Sequence, residues 1–437
     1  MLLIYSKITS ARLEYVCKFI FNNILGIDFK ITNNAEEYNN YKQARINYSN
    51  STLNNGIFIK SNNLLFETDI KKQDIFVSVW DNKKIFFQTD EMSEIPFDIF
   101  AAVFYLISRY EEYIPFKGDE HGRFEAKQSL AYKNSFLHEP VVDQWVITLA
   151  DILKKRYPDL NIAKRKFNYI STIDVDNAYA YLYKGNIRTV GATIRSLIDF
   201  DFPQIVERYK TLMLKDDPYD TYDQIEHINK KYKIEPIWFF LLANFSKYDR
   251  NVPARKEPFQ NLIKKMSEKY LLGIHPSYKS TDASGKLHKE INRLRRITNK
   301  EITKSRQHFL RLSFPDTYRN LIKNGIKEDY TLGYATDMGF RAGTCTPFNF
   351  YDLENEQETG LKIFPFQIMD TTLNRSLQLS ENEAISNIEN IANKIKEVNG
   401  TFISLWHNES FSNHGNWKGW GSVYKEMLRC VYDNHDK

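Results

Sequence analysis

Cysteine is nearly absent from this chain. Cys17, Cys345 and Cys430 are the three in 437 residues, and no two lie close together. A set so sparse and odd argues against a disulfide framework and fits a reducing compartment. Long apolar runs are missing too. A transmembrane helix needs roughly 18 apolar residues, and no stretch supplies them, so no membrane span is expected. Met1 to Tyr5 is apolar, but Arg12, Glu14 and Lys18 follow too soon for a secretory hydrophobic region. A cytoplasmic location is therefore the expectation. Charge of one sign is also scarce. Lysine and arginine number 60 against 55 aspartates and glutamates, a net charge of +5. The densest basic segment, Lys154-Lys155-Arg156 with Lys164-Arg165-Lys166, reads as a solvated linker, so no nucleic-acid partner is expected. There is no internal repeat and no low-complexity tract.

What is present is ordinary globular material: 42% hydrophobic and 26% charged residues, with 30 Phe, 27 Tyr and 6 Trp. Aromatic rings fill cores, and they also suit sugar rings. A chain of this length implies two or three domains at ~100–200 residues each. Two zones are visible. In residues 1–165, 11–25 reads as an amphipathic helix. Short β-branched and aromatic runs at 56–60, 75–80 and 84–88 read as strands. Residues 97–110, entered through Pro96, and 141–157, ended by Pro158, read as helices. The charged stretch 159–166 reads as a linker, and the first zone carries only weak chemical signals.

In residues 166–437, apolar strand candidates at 167–173, 237–242, 270–274, 305–312 and 401–406 alternate with helical stretches at 222–232, 259–269, 286–297, 317–323, 381–398 and 423–432. Such alternation predicts an α/β fold with a parallel sheet or barrel, in which active residues gather at the C-terminal ends of strands. The polar residues worth noticing sit at such ends. Asp174 and Asp176 follow Tyr169-Ile170-Ser171-Thr172-Ile173, and a spacing of two puts both carboxylates on one face. Their repulsion falls if one binds a cation or a proton; alternatively, one caps the next helix and the other faces water. His275 ends Leu271-Leu272-Gly273-Ile274, and His407 ends Phe402-Ile403-Ser404-Leu405-Trp406. His308 ends Ser305-Arg306-Gln307. Neutral imidazoles in such places suit a metal. Arg341, between Gly339 and Gly343, is placed to bind an anion or orient a carboxylate, unless it sits in a surface turn.

These segments resemble the polysaccharide deacetylases of carbohydrate esterase family four, and more closely a cytoplasmic bacterial branch with an added N-terminal domain. The resemblance rests on Ser171 to Asp176, Gly273-Ile274-His275-Pro276-Ser277-Tyr278, Ser305 to Arg311, Gly339 to Thr344 and Leu405-Trp406-His407-Asn408. In the first zone it rests on Phe97 to Phe100, Ser108-Arg109-Tyr110-Glu111-Glu112-Tyr113 and Gly122-Arg123-Phe124. It implies a distorted parallel (β/α) barrel over residues 166–437, with a separate α/β domain over 1–165. The implied activity is metal-dependent hydrolysis of an N-acetyl or O-acyl group on a sugar. Asp174 would be the base, Asp176 and His275 metal ligands, and His407 the general acid. Arg306, Arg341 and Trp406 are candidates for binding or orienting substrate.

The family pattern is not met everywhere. Val175 separates the two aspartates that are usually adjacent. Lys279 stands where a second histidine usually follows the first by four residues, and a protonated lysine binds no metal. The expectation here is that His308 supplies that ligand. The expected cofactor is a divalent ion, Zn first, with Co, Ni or Mn suiting the same oxygen and nitrogen donors. The rival readings are an inactive glycan-binding protein on the same scaffold and a metal-dependent amidase with a non-sugar substrate. The sugar, the metal and the oligomeric state are not written in the sequence.

Overall fold

The computed structural model describes residues 1–53, 56–90, 92–281 and 284–432. These residues make a mixed α/β molecule whose described strands form three sheets. Leu2-Leu3-Ile4-Tyr5 is apolar on both faces, as a strand inside a covered parallel sheet must be. It forms β1 (Leu2–Tyr5), flanked by β2 (Phe29–Thr32) and β3 (Arg45–Ser49). With β4 (Ile57–Lys60) they make a parallel sheet ordered β2-β1-β3-β4. β5 (Ser78–Trp80) and β6 (Lys83–Ile85) pair as an antiparallel hairpin. The helix Ile99–Ile107 is buried along its whole length, so it is a core rod rather than an amphipathic cover. The Asp98 carboxylate caps its start, accepting from the Ala101 amide at 2.9 Å and the Tyr48 hydroxyl at 2.7 Å.

The second part is organised by one large sheet. Its strands are β7 (Asn168–Val175), β8 (Ile237–Leu241), β9 (Leu272–His275), β10 (Lys304–Ser305), β11 (Glu328–Asp329), β12 (Phe348–Asp352), β13 (Gln357–Ile363), β14 (Ile368–Met369) and β15 (Thr401–His407). Their order is β12-β13-β11-β10-β9-β8-β7-β15-β14. Every neighbouring pair is parallel except β12 with β13. A closed barrel is not shown: no ladder among the described residues joins β14 back to β12. Isolated backbone bonds tie the connection between β13 and β14 to the β11 side and to β15. The Phe364 amide donates to the Asp329 carbonyl, Phe366 to Leu332 and Gln367 to Ile403, at 2.8–3.1 Å. The strand expected at 305–312 is also corrected. Only its first residue pairs, because Phe309 and Leu310 take φ of 60° and 54° and turn the chain.

Side chains on the two faces of this sheet belong to different cores. Leu310, Phe366, Met369, Ile403 and Leu405 form one small cluster, and Ile237, Phe239 and Tyr330 another. Ile170 and Phe364 pack on both, so the two clusters line one inner surface. The opposite face joins a much larger core that runs from Leu2 to Val431. That core is shared by both zones of the sequence. Tyr15 and Phe104 meet Tyr351 at 4.8 and 5.3 Å, and Arg12 pairs with Glu356.

Candidate metal and acid–base centre

Five side chains from four strand ends meet at the inner surface. Asp174 on β7 and His407 on β15 are register partners. His275 ends β9, which pairs with β8 beside β7. Asp176 lies just past β7, and His308 lies in the turn after β10. Ligand atoms of Asp176, His275 and His308 all fall within 4.8 Å of one another. Lys279 is exposed in the turn Tyr278–Ser280 and takes no part.

The hydrogen bonds fix which nitrogen of each histidine faces inward. His275 Nδ1 lies 2.5 Å from the Arg306 carbonyl, which can only accept, so Nδ1 carries the proton. His308 Nδ1 lies 2.9 Å from a carboxylate oxygen of Asp249 and is fixed the same way. Both Nε2 atoms then turn toward Asp176, at 3.0 and 3.3 Å. Asp176 Oδ1 is buried and has no hydrogen-bond partner. Two imidazole lone pairs and a carboxylate are acceptors facing acceptors, an arrangement that a cation or protons must relieve. Outer partners that lock each imidazole are the usual company of a metal-binding histidine. The donor set fits a divalent ion with one oxygen and two nitrogen ligands and open positions beside them. Without an ion, protons on the imidazoles supply that relief. Burial would raise Asp176, but His308 and His275 outweigh it and hold the carboxyl well below its ordinary range. Burial lowers His308, yet Asp176 and Asp249 push it up to about 9.

Asp174 is placed differently. One oxygen accepts from Arg306 at 2.9 Å, and the other stands 3.8 Å from His275. Arg306 is fully buried. Its guanidinium also donates to Thr172 Oγ1 and to the Tyr330 carbonyl, and its central carbon lies over the rings of Phe239 and Phe366, 4.8 and 5.6 Å from their centroids. Two glycines make room for those rings. A Cβ on Gly273 would come within 2.4 Å of the Phe239 ring, and one on Gly333 within 2.3 Å of Phe366. His407 is held from behind by Asp370, whose oxygens accept from its Nδ1 at 2.8 Å and its amide at 2.7 Å. Burial lowers His407, but Asp370, Asp176 and Asp174 push it up to about 10.

Two expected site residues are elsewhere. Arg341 donates to Glu112 at 2.9 and 2.5 Å and to the Gly333 carbonyl, buried between the zones and away from Asp174. Trp406 follows strand alternation. Leu405 and His407 point to the inner surface, so Trp406 points to the helix side, packed on Phe411 and Tyr424. Three residues of the site were not expected. Asp249 and Asp370 are the carboxylates behind His308 and His407. Asp370 follows β14, so the strand-end signal was available for it; Asp249 sits in a loop with no periodic signal. His121, from the first zone, also lines the cavity, with Nδ1 3.1 Å from the Tyr278 hydroxyl. The cavity around these groups holds about 400 Å³.

Residues 1–158 match the profile of a family of unknown function, DUF7033. None of the curated proteins matches the sequence. Among solved structures, a Mycobacterium smegmatis protein described as a polysaccharide deacetylase is similar at 13% identity, TM-score 0.40, over 62% of this chain and 86% of its own. The Bacillus cereus polysaccharide deacetylase Bc1974 is similar at 12% identity, TM-score 0.30, over 62% and 88%. A Bacillus anthracis pseudoenzyme of the CE4 family is similar at 11% identity, TM-score 0.31, over 62% of each.

Proposed function

We propose that this chain is a metal-dependent hydrolase that removes an acyl group, first of all an N-acetyl group, from a sugar. The observation that carries the reading is the convergence of three acceptors, Asp176, His275 and His308, beside two separately braced acid–base groups. Asp176, His275 and His308 would hold a divalent ion, which supplies polarisation of the acyl carbonyl and acidification of water. Zn is the first expectation, and Co, Ni or Mn suit the same donors.

The remaining work falls to the chain. Asp174 takes the proton from the attacking water. Arg306 keeps one of its oxygens engaged and leaves the other facing the cavity. His407 gives a proton to the departing nitrogen, with Asp370 holding the ring so that Nε2 points inward. The inner apolar floor keeps bulk water from these groups. Residues 1–165 form a domain that adds His121 to the rim. An acylated glycan is the partner this chemistry requires, and a cytoplasmic setting is part of the same reading. No helix among the described residues is long and apolar enough to cross a membrane.

The test is acetate release from N-acetylated glucosamine oligomers by purified protein, read beside elemental analysis. About one divalent ion per chain is expected, with turnover lost on chelation and restored on metal return. Turnover by protein that contains no metal would overturn the reading.

A further inference from the structure

Beside the catalytic cavity lies a larger one, of about 680 Å³. Asn177, Lys247 and Arg250 line this cavity and also a smaller one that reaches Asp176 and His308. The larger space therefore adjoins one that opens on Asp176 and His308. The lining of the larger cavity is one-sided in charge. It carries Lys184, Arg188, Arg195, Arg208, Lys247 and Arg250, and no aspartate or glutamate.

Those cations are poorly compensated. Lys184 donates to the Asn177 side-chain oxygen, Arg188 to the carbonyls of Arg250 and Asn251, and Arg250 to the Lys247 carbonyl. Arg208 is buried and donates to Thr193, Ser196 and Gln204. All these partners are neutral. Among the described residues, only Arg195 of these cations has a carboxylate, Asp199, at 3.5 Å. The nearby acids are otherwise engaged: Asp217 accepts from four backbone amides, and Glu207 from the Tyr181 hydroxyl. The strain is visible in the titration of the site. Burial, then Arg188, pushes the Lys184 ammonium down to about 8, and burial and Arg250 lower Arg188. Cations that a fold gathers around a cavity without counter-charge await an anion. Arginine forks and lysine ammonium groups together match phosphate oxygens. Tyr181, Tyr219 and Phe245 add ring faces among them.

We propose that this cavity binds the phosphate or diphosphate group of the substrate, so that the acyl group to be removed sits on a phosphorylated sugar. The sugar half of this assignment rests on the hydrolase reading; the anion site does not. Two sources supply such a group, a soluble sugar phosphate and a sugar phosphate carried on a lipid. The walls of the cavity make the second source specific enough to test. The helices Asn186–Ile198 and Phe202–Leu214 bond their polar residues to each other inward, through Arg208. Ile187, Ile194, Leu197, Phe202, Tyr209 and Met213 are left exposed outward.

The first experiment is calorimetric titration of the full chain with inorganic pyrophosphate. Wild type binds saturably. The Lys184→Gln/Arg250→Gln double variant binds roughly tenfold or more weakly, as expected for losing hydrogen bonds to charged groups. Lys247→Gln, at an exposed side chain, gives a smaller loss and serves if the double variant folds poorly. Asp176→Asn binds pyrophosphate like wild type. Absence of binding in wild type, equal binding in the cation variants, or loss in Asp176→Asn would each overturn the proposal, the last by placing the anion on the metal centre. Sedimentation with phosphatidylcholine vesicles, with and without phosphatidylglycerol, separates the sources. Pyrophosphate-displaceable binding to the anionic vesicles assigns the lipid-linked form. Pyrophosphate binding without vesicle binding assigns the soluble one. A metal-free, inactive protein that still binds pyrophosphate would defeat the hydrolase reading alone.

Discussion

Arg306 and Arg341 look alike by every coarse measure. Both are buried, and both pair with a carboxylate. Their surroundings differ in one respect. Glu112 spends both oxygens on arginines: Oε1 accepts from Arg109 and Arg341, and Oε2 from Arg341 again. Asp174 spends one oxygen on Arg306 and keeps the other beside a cavity. A fully satisfied buried pair holds structure together; a half-satisfied one is poised to take a proton. Burial and charge pairing alone do not separate the base proposed for this chain from a structural carboxylate; the unspent lone pairs of Asp174 do.

The comparison is broken most sharply at the two carboxylates. Asp174→Asn is expected to keep its fold and its metal and to lose ~10²–10⁴-fold in turnover, the usual cost of a missing general base. Asp370→Asn should lower turnover in the same way with metal retained, since it acts through His407. Asp176→Asn should lose the metal. Metal content measured beside turnover distinguishes these; loss of metal in Asp174→Asn with retention in Asp176→Asn would reverse the two roles.

Glu112→Gln should do the opposite of Asp174→Asn. Removing one partner of a buried ion pair costs about 3–5 kcal/mol of stability, and turnover per folded, metal-loaded molecule should stay near wild type. Its pH dependence has a definite sign. Burial alone would raise the Glu112 carboxyl, but Arg341 and Arg109 outweigh it and hold it below the ordinary 4.5. The ionised pair therefore contributes its full stability above pH 4.5, and that contribution fades as pH falls through the lower folded value. Thermal melts should show wild type losing stability in that acid range faster than Glu112→Gln. Parallel curves would mean that the pair is not what acid breaks.

The platform under Arg306 gives a milder contrast. Gly273→Ala puts a methyl into the Phe239 ring, and overpacking of this kind costs about 1–3 kcal/mol. Because that ring also backs Arg306, activity should fall together with stability. A variant that is destabilised yet fully active would show that Arg306 keeps its aim without Phe239.

Much of this centre was legible in the sequence for a simple reason. Asp174, Asp176, His275, His308 and His407 each close or follow an apolar strand, and parallel strands bring their ends to one edge. What was not legible came from loops and from three-dimensional partnership. Asp249 reaches His308 across 59 residues with no periodic signal, and His121 arrives on a turn from the other zone. The helices Asn186–Ile198 and Phe202–Leu214 were missed because Gly185, Gly191 and Pro203 interrupt a pattern whose apolar side faces outward. β12 and β13 are rich in Asn, Asp, Glu and Thr, which mask their alternation. Arg341 was misplaced because glycines on either side suggest an open turn, while Glu112, its partner, lies 229 residues away.

Trp406 sets the smallest effect and the cleanest negative control. It neighbours His407 in sequence, yet the strand pleat puts its ring on the helix side, fully buried against Phe411, Trp420 and Tyr424. Its indole N–H is buried without a hydrogen-bond partner. Trp406→Phe would remove ring area, and each lost buried CH₂ equivalent costs about 0.8 kcal/mol. It would also remove an unsatisfied donor, which by itself costs about 1–3 kcal/mol to bury. The two terms oppose each other, so the melting temperature should move little in either direction. KM and kcat should both stay near wild type, because the ring faces away from the cavity. His407→Phe, one residue on, should abolish turnover while the metal stays. A raised KM in Trp406→Phe, with stability unchanged, would mean that this side chain reaches substrate after all.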